Sequence, residues 1–250
     1  ETGIAGIDAD TYLSPGSFEV ARRAAGAAIL AVDKLLAGEA ANAFCAMRPP
    51  GHHAEQGRAM GFCLFNQIAI GARHAREFHG LDRVAIVDFD VHHGNGTQDI
   101  FFNDPAVLYA STHQMPLYPG TGSPSETGRG NIFNAPLRPG DGGEAFRAAM
   151  NQHILPAIDR FTPDLIMISA GFDAHVRDPL AQLELEETDK VSDDHAPKTA
   201  ADVPGEEAAG EGETGQGAQA VAADRTGEVD SDAEATPAQD GPVEQQPAAP

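Results

Sequence analysis

The sequence predicts an α/β fold, in which a parallel sheet is flanked by helices on both faces. Short apolar segments of strand length alternate with longer segments of helical periodicity, and this alternation is typical of parallel sheets. Reactive side chains follow three of the predicted strands, where such sheets carry their functional groups. Large apolar residues then disappear, so the folded part of the chain is predicted to span about 1–188.

Three helices are predicted from their periodicity and from residues that suit helix ends. Ser17 and Glu19 suit the start of the first helix, and Gly38 suits its end. Basic residues come late in the second helix, as the helix dipole favours. Pro156 predicts a kink in the third. The predicted helices span residues 17–38, 62–80 and 143–161.

Four strands are predicted from apolar runs bounded by turn-forming or acidic residues. The first is stopped by the run "RPPG", and the last continues into a loop. The predicted strands span residues 41–47, 83–90, 106–112 and 164–175.

The segment 189–250 differs from the rest in composition. It is rich in Ala, Gly, Pro, Glu, Asp and Gln, and its acidic residues far outnumber its basic ones. Such a segment buries too little apolar surface to offset the entropy of ordering it, so a disordered tail is predicted. An acidic tail that binds a partner is the alternative.

Composition also restricts the partners and the compartment. A net charge of −22 argues against a nucleic-acid partner. No apolar run approaches the ~18 residues of a membrane span, and no secretory signal opens the chain. Cys45 and Cys63 imply no disulfide framework, so a cytoplasmic protein is expected. Because the chain starts at Glu1, we expect a fragment or a processed protein.

The stretch "VDFDVHHGNGTQD" (87–99) places carboxylates and imidazoles at the end of a predicted strand. If extended structure continues through residue 92, then Asp88, Asp90 and His92 share one face. Such groups repel or desolvate one another unless a cation lies between them. Asp173, which follows another strand, could add a further oxygen. The pattern predicts a divalent metal site with open positions, as catalytic sites have.

A second pair of histidines follows the first strand. Alone, His52 and His53 would be read as surface residues, but beside a metal they suit general acid and base work. Each needs an orienting partner, and Asp88 and Asn95 could serve. Gly61 would let a substrate approach closely.

Taken together, five stretches resemble the histone deacetylase family. They are "RPPGHHAE", "GFCLFNQIAI", "VDFDVHHGNGTQDIF", "PLYPGTG" and "ISAGFDAHVRDPLAQL". The likeness covers about residues 1–189 and is strongest to bacterial members of class II character, which include acetylpolyamine amidohydrolases and acetoin-utilisation deacetylases. It implies an arginase/deacetylase-like fold, incomplete at both ends, that removes acetyl groups from amines. The metal implied is zinc, with Fe²⁺ as an alternative.

The resemblance also implies a role for each matching residue. Asp90, His92 and Asp173 match the metal ligands, and His53 the general base and acid. His52 matches the other tandem histidine and Asp88 matches its partner. Asn95 stands where the partner of His53 lies. Gly61, Phe62 and Tyr118 match the substrate tunnel, although the two aromatic residues could be ordinary core residues. A K⁺ or Na⁺ site, largely of backbone oxygens, would be lined by Asp88, Asp90, His92, Ser111 and Thr112.

One feature of the family pattern is missing from the sequence. The family adds a tyrosine from a late "GGY" motif, and this chain has only Tyr12, Tyr109 and Tyr118. We therefore expect impaired activity. A non-catalytic remnant or a tail-mediated interaction protein is the alternative, and an arginase-like ureohydrolase with two metals is disfavoured by the "HHGNG" pattern. The substrate could be protein acetyl-lysine, an acetylpolyamine or a small acetyl amine, and no oligomeric state is predicted.

Overall fold

The structure is a computed structural model that describes residues 3–189 and the backbone of a strand at 218–222. A small antiparallel hairpin comes first, from β1 (Ala5–Gly6) and β2 (Tyr12–Leu13). The main sheet has the order β3-β8-β7-β4-β5-β6 among the described residues. Its strands are β3 (Asn42–Cys45), β4 (Val84–Asp88), β5 (Val107–Gln114), β6 (Ile132–Leu137), β7 (Leu165–Ala170) and β8 (Ala218–Ala222).

The helices lie between these strands in sequence. They are α1 (Ser17–Leu36), α2 (Gln67–Glu77), α3 (Asn95–Phe101), α4 (Gly143–Ala149) and α5 (Leu155–Phe161). A π-helical turn, Met150–Ile154, joins α4 to α5. It ends two residues before Pro156, whose ring and missing N–H cannot continue an α-helical ladder. The predicted kink in this segment is therefore a widened turn.

Parallel pairing brings the carboxyl ends of the central strands together. β7, β4, β5 and β6 are parallel neighbours, and Asp88 at the end of β4 is paired with Ser111 and Ser169. Loops that follow these strands consequently meet at one edge of the sheet.

Helices cover both faces of the sheet, as the sequence predicts. Along β4, Val84 and Ile86 pack in one core with α1, α2 and α3, while Ala85 and Val87 pack in the other with α4 and α5. This alternation is the period of two expected when both faces of a strand are buried. The polar residues at the strand ends therefore emerge from a sheet whose centre is apolar.

The predicted helix at 62–80 begins later than expected. Phe62 has a φ of 63° and Met60 and Cys63 form a tight bridge, so α2 starts only at Gln67. Asn66 caps it, since its Oδ1 accepts a hydrogen bond from the Ala69 N–H at 3.1 Å. The prediction was wrong for 62–66 because the apolar periodicity there belongs to a loop beside the tandem histidines.

Five of the described elements, β1, β2, α3, β6 and β8, were not predicted. α3 is only seven residues long, too short for a periodic signal. β6 contains Asn134 and Pro136, which interrupt an apolar run, but it lies at the edge of the sheet, where proline is tolerated.

The structure differs from the sequence prediction at one place in the predicted tail. Ala218–Ala222 pairs antiparallel with both β3 and β7, and so fills the sheet between them. The unpaired backbone groups of two neighbouring strands can attract a strand that lacks large apolar side chains. The rest of 190–250 lies outside the described residues, and its predicted disorder stays a prediction.

The helices and the cysteines also bear on the class of protein. None of its helices in 3–189 has the length and apolar character needed to cross a membrane. Cys45 and Cys63 are both free thiols.

Replacing the cap of α2 is expected to destabilise the fold. Asn66 is buried, and its Nδ2 also donates to the Ala54 carbonyl and the Thr97 hydroxyl. We expect Asn66→Ala to lower the free energy of unfolding by about 1–3 kcal/mol, since it removes the cap and leaves buried groups unpaired. Urea denaturation of this variant beside Asn151→Ala, an exposed asparagine in the π-helical turn, measures the difference. Equal losses in both would contradict the capping role.

Candidate active site

The chain bends sharply after β4. The strand ends at Asp88, so the extended structure through residue 92 that the sequence prediction assumed does not form. Asp88 Oδ1 accepts from the Asp90 N–H at 3.2 Å, and Asp90 Oδ1 accepts from the His92 N–H at 2.9 Å. These carboxylates hold the bend, and the bend rather than a shared strand face directs the side chains.

The bend brings Asp90 and His92 to Asp173, which follows β7. One ligand atom from each residue lies within 4.8 Å of the other two. His92 Nδ1 is 3.0 Å from both Asp90 Oδ1 and Asp173 Oδ2, and Asp173 Oδ1 accepts from the Val91 N–H. Burial alone would lower the pKa of His92, but the two carboxylates raise it to about 10. This donor set of two carboxylates and one imidazole fits a divalent cation, which would replace the shared proton.

His52 is held by a buried carboxylate. Its Nδ1 donates to Asp88 Oδ2 at 2.9 Å, and both side chains are buried. The Tyr109 hydroxyl donates to the same Oδ2 at 3.3 Å and accepts from the Gly94 N–H at 3.0 Å. The end of β4, the strand β5 and the loop after β3 are thereby joined through Asp88.

His53 is oriented through a neutral amide. Its Nδ1 lies 2.8 Å from Asn95 Oδ1, while Asn95 Nδ2 donates to Glu55 Oε1 at 2.8 Å. Because the amide nitrogen faces the carboxylate, the amide oxygen faces the ring, and His53 must carry its proton on Nδ1. Its Nε2 is then the basic nitrogen.

The two histidines differ in protonation because their partners differ. Burial disfavours charge on His52, yet Asp88 and Asp90 overcome this and raise its pKa to about 9. Burial and the positive charge on His52 hold the pKa of His53 well below its usual range. The ring centroids are 4.0 Å apart, so one charged and one neutral imidazole lie side by side. Pairs whose pKa values are separated in this way suit proton transfer.

A cavity of about 360 Å³ opens over these groups. Gly61, Phe62 and Tyr118 line it, as the sequence predicts, and Tyr118 contacts His53 edge to face at 5.1 Å between centroids. Phe62 is 49% exposed and Tyr118 is 38% exposed, so neither is an ordinary core aromatic residue. The other wall residues include Asp10, Met47, Pro50, Leu117 and Leu180.

Ser111 and Thr112, which are expected to help line a monovalent-cation site, lie on β5. Ser111 is fully buried and is paired with Asp88 in the sheet, and Thr112 follows it on β5. Ser111 is thus next to Asp88, but the role of these residues with a cation stays a prediction.

Three residues of the site were not singled out from the sequence. Glu55 supports Asn95, Tyr109 supports Asp88, and Asp10 lines the cavity. Glu55 stands in "GHHAE", so its position beside the tandem histidines was a usable signal. For Tyr109 and Asp10 the sequence offers none, because they reach the site only through strand pairing and the packing of the opening segment.

Comparison with known proteins identifies the family of the chain. The family profile for the histone deacetylase domain matches residues 1–200. The histone deacetylase-like amidohydrolase of Pseudomonas aeruginosa is 47% identical over 190 residues, which are 74% of this chain and 50% of that protein. The polyamine deacetylase HDAC10 of Rattus norvegicus is 43% identical over 69% of this chain and 31% of its own length.

A solved structure has a similar fold. The crystal structure of the HDA15 HD domain superposes with a TM-score of 0.70 and 41% identity, over 73% of this chain and 55% of that one. The chain therefore spans about half, or less, of the length of the relatives it matches.

A side chain at residue 61 is expected to displace His53. Gly61 has a φ of +57°, and a Cβ there would lie 2.5 Å from His53 Cδ2. We expect Gly61→Ala to cost about 2–4 kcal/mol of unfolding free energy, from backbone strain and overpacking. Gly57→Ala in the same loop meets nothing within 4 Å and serves as the control. Denaturation curves compare the two, and unchanged stability in both would mean that His53 moves away freely.

Proposed function

Because the chain belongs to the histone deacetylase family, we propose that it hydrolyses the amide bond of acetylated amines in the 360 Å³ cavity. The observation that carries the proposal is the placement of a neutral His53 and a charged His52 above a cluster of two carboxylates and an imidazole. The names of the relatives, a histone deacetylase-like amidohydrolase and a polyamine deacetylase, support the same reaction class.

The residues that would hold a divalent metal are Asp90, His92 and Asp173. Their donor set suits zinc, on which the family generally depends, and Fe²⁺ is the alternative. Zinc bound there would polarise the acetyl carbonyl and make a water molecule more acidic. Asp88 and Ser111, deeper in the same region, support the further proposal of a K⁺ or Na⁺ site.

The chain's own groups then move the proton. His53 Nε2 takes a proton from the attacking water and returns it to the leaving amine. The Glu55–Asn95 contact keeps this nitrogen free and directed away from the amide. The charge on His52 disfavours a second positive charge on His53, so the proton is passed on rather than kept.

The walls of the cavity indicate the form of the substrate. Phe62, Leu117 and Tyr118 offer apolar and aromatic surface, which suits the aliphatic part of an acetylated amine. Asp10 adds a carboxylate that can accept from an N–H of the substrate. This fits acetyl-lysine in a protein, an acetylpolyamine or a small acetyl amine. A ureohydrolase with two metals is not favoured, since within residues 3–189 the cavity has a single group of three metal donors.

Loss of one metal ligand is expected to abolish metal-dependent turnover. Substitutions beside a metal ligand lower metal affinity or activity by about 10–100-fold. Asp173 is itself a proposed ligand, so we expect Asp173→Asn to lower the rate of turnover by at least ~100-fold. Release of acetate from an acetyl-lysine peptide and from an acetylpolyamine, with and without zinc, measures this. Asp159→Asn, on the exposed side of α5, is the matched control. Turnover that survives both Asp173→Asn and a chelator would refute the proposed reaction.

The chain alone is expected to turn over slowly. Tyr118 is the tyrosine that lines the cavity among the described residues, and the family's later "GGY" tyrosine does not occur in this sequence. A missing oxyanion donor costs about 10²–10³ in rate. A longer chain that carries this motif should be faster by that factor, in the same acetate-release assay. Equal rates would show that a residue present in this chain supplies the hydrogen bond to the oxyanion. Tyr118→Phe would then be the first variant to assay.

A further inference from the structure

A second group of metal-binding side chains lies away from the cavity, where α1 and α2 pack together. Asp33 lies on α1, His74 on the last turn of α2, and His79 just after that helix. Both imidazoles point at one oxygen: Asp33 Oδ1 is 2.6 Å from His74 Nε2 and 2.7 Å from His79 Nε2. None of the three lines the cavity.

The two imidazoles are held in place by the end of α2. The Gly80 N–H donates to the Arg76 carbonyl and the Leu81 N–H to the Ala75 carbonyl, which fixes the turn that carries His79. Phe78 stacks on the His74 ring, with centroids 4.9 Å apart, and meets the His79 ring edge to face. The donor atoms therefore converge because the backbone and an aromatic ring set their directions.

We propose that Asp33, His74 and His79 form a second transition-metal site, distinct from the proposed catalytic one. Two imidazoles and one carboxylate, with a fourth position left to water, are a donor set that suits Zn²⁺. All three ligand atoms lie within 4.8 Å of one another. Zinc bonds of ~2.0–2.2 Å put tetrahedral ligands about 3.3 Å apart, so the two carboxylate–imidazole distances of 2.6 and 2.7 Å would each lengthen by about 0.6–0.7 Å on binding.

The side chains remain reachable from water. They are 41% exposed for Asp33, 18% for His74 and 24% for His79. Without a metal, each Nε2 can donate a hydrogen bond to the shared oxygen, and the cluster is then a link between two helices. With a metal, each Nε2 must be a lone-pair donor and its ring proton must move to Nδ1 or leave. The tautomer of the two rings thus distinguishes a metal site from a hydrogen-bonded link.

Zinc stoichiometry in crossed variants tests the proposal. The full chain, freed of metal by dialysis, is equilibrated with Zn²⁺, and bound zinc is measured by elemental analysis. We expect two ions per chain for the unaltered protein, one for His79→Ala, one for Asp173→Asn, and none for the double variant. His153→Ala removes an exposed histidine on the other face of the sheet and should still bind two. Asp33→Asn keeps the shape of the side chain but weakens ligation, so it should also lose one ion.

A spectroscopic readout locates the ion. Long-range proton–nitrogen NMR correlations of the imidazoles should show the His74 and His79 Nε2 signals shifting on zinc addition, also in the Asp173→Asn protein. If Asp173→Asn binds no zinc while His79→Ala binds as much as the unaltered chain, the second site does not exist. If Asp173→Asn binds as much zinc as the unaltered chain while His79→Ala binds less, the catalytic proposal fails and this one stands. Unshifted His74 and His79 signals at saturating zinc would overturn it.

Discussion

The buried ion pair between His52 and Asp88 sets the arrangement of the polar groups at the end of the sheet. Asp88 is fully buried at the last position of β4, where a charge without partners would cost several kcal/mol. His52 and the Tyr109 hydroxyl both donate to its Oδ2, and the Asp90 N–H donates to Oδ1. One carboxylate therefore joins the loop after β3, the strand β5 and the bend that carries Asp90 and His92.

The same pair explains why adjacent histidines can have different tasks. His52 keeps its proton because carboxylates surround it, and its charge then disfavours a proton on His53. Asn95 orients His53 without adding a negative charge, and Glu55 fixes the amide from its other side. A carboxylate in place of Asn95 would raise the pKa of His53 and reduce the difference between the two rings.

The centre of the sheet and the location of the site could be predicted from the sequence, since apolar strands alternate with helices and polar groups follow the strand ends. The features that the sequence did not predict depend on local backbone geometry or on pairing between strands that are distant in sequence. The start of α2 is set by the Asn66 cap, β6 is interrupted by polar residues, and Ala218–Ala222 has no side-chain signal for a strand. Tyr109 joins the site through strand pairing, which no local pattern encodes.

The two clusters of histidine and aspartate differ chiefly in burial, and this changes what each demands of its surroundings. At Asp90, His92 and Asp173 the carboxylates are largely withdrawn from water, so a cation or a shared proton must balance them. At Asp33, His74 and His79 water reaches the carboxylate, and two hydrogen bonds are enough without an ion. The buried cluster would therefore gain more from a metal, while an ion bound at the exposed cluster would exchange more readily with solvent. One ion species could occupy both, but of these two clusters only the buried one has the 360 Å³ cavity beside it.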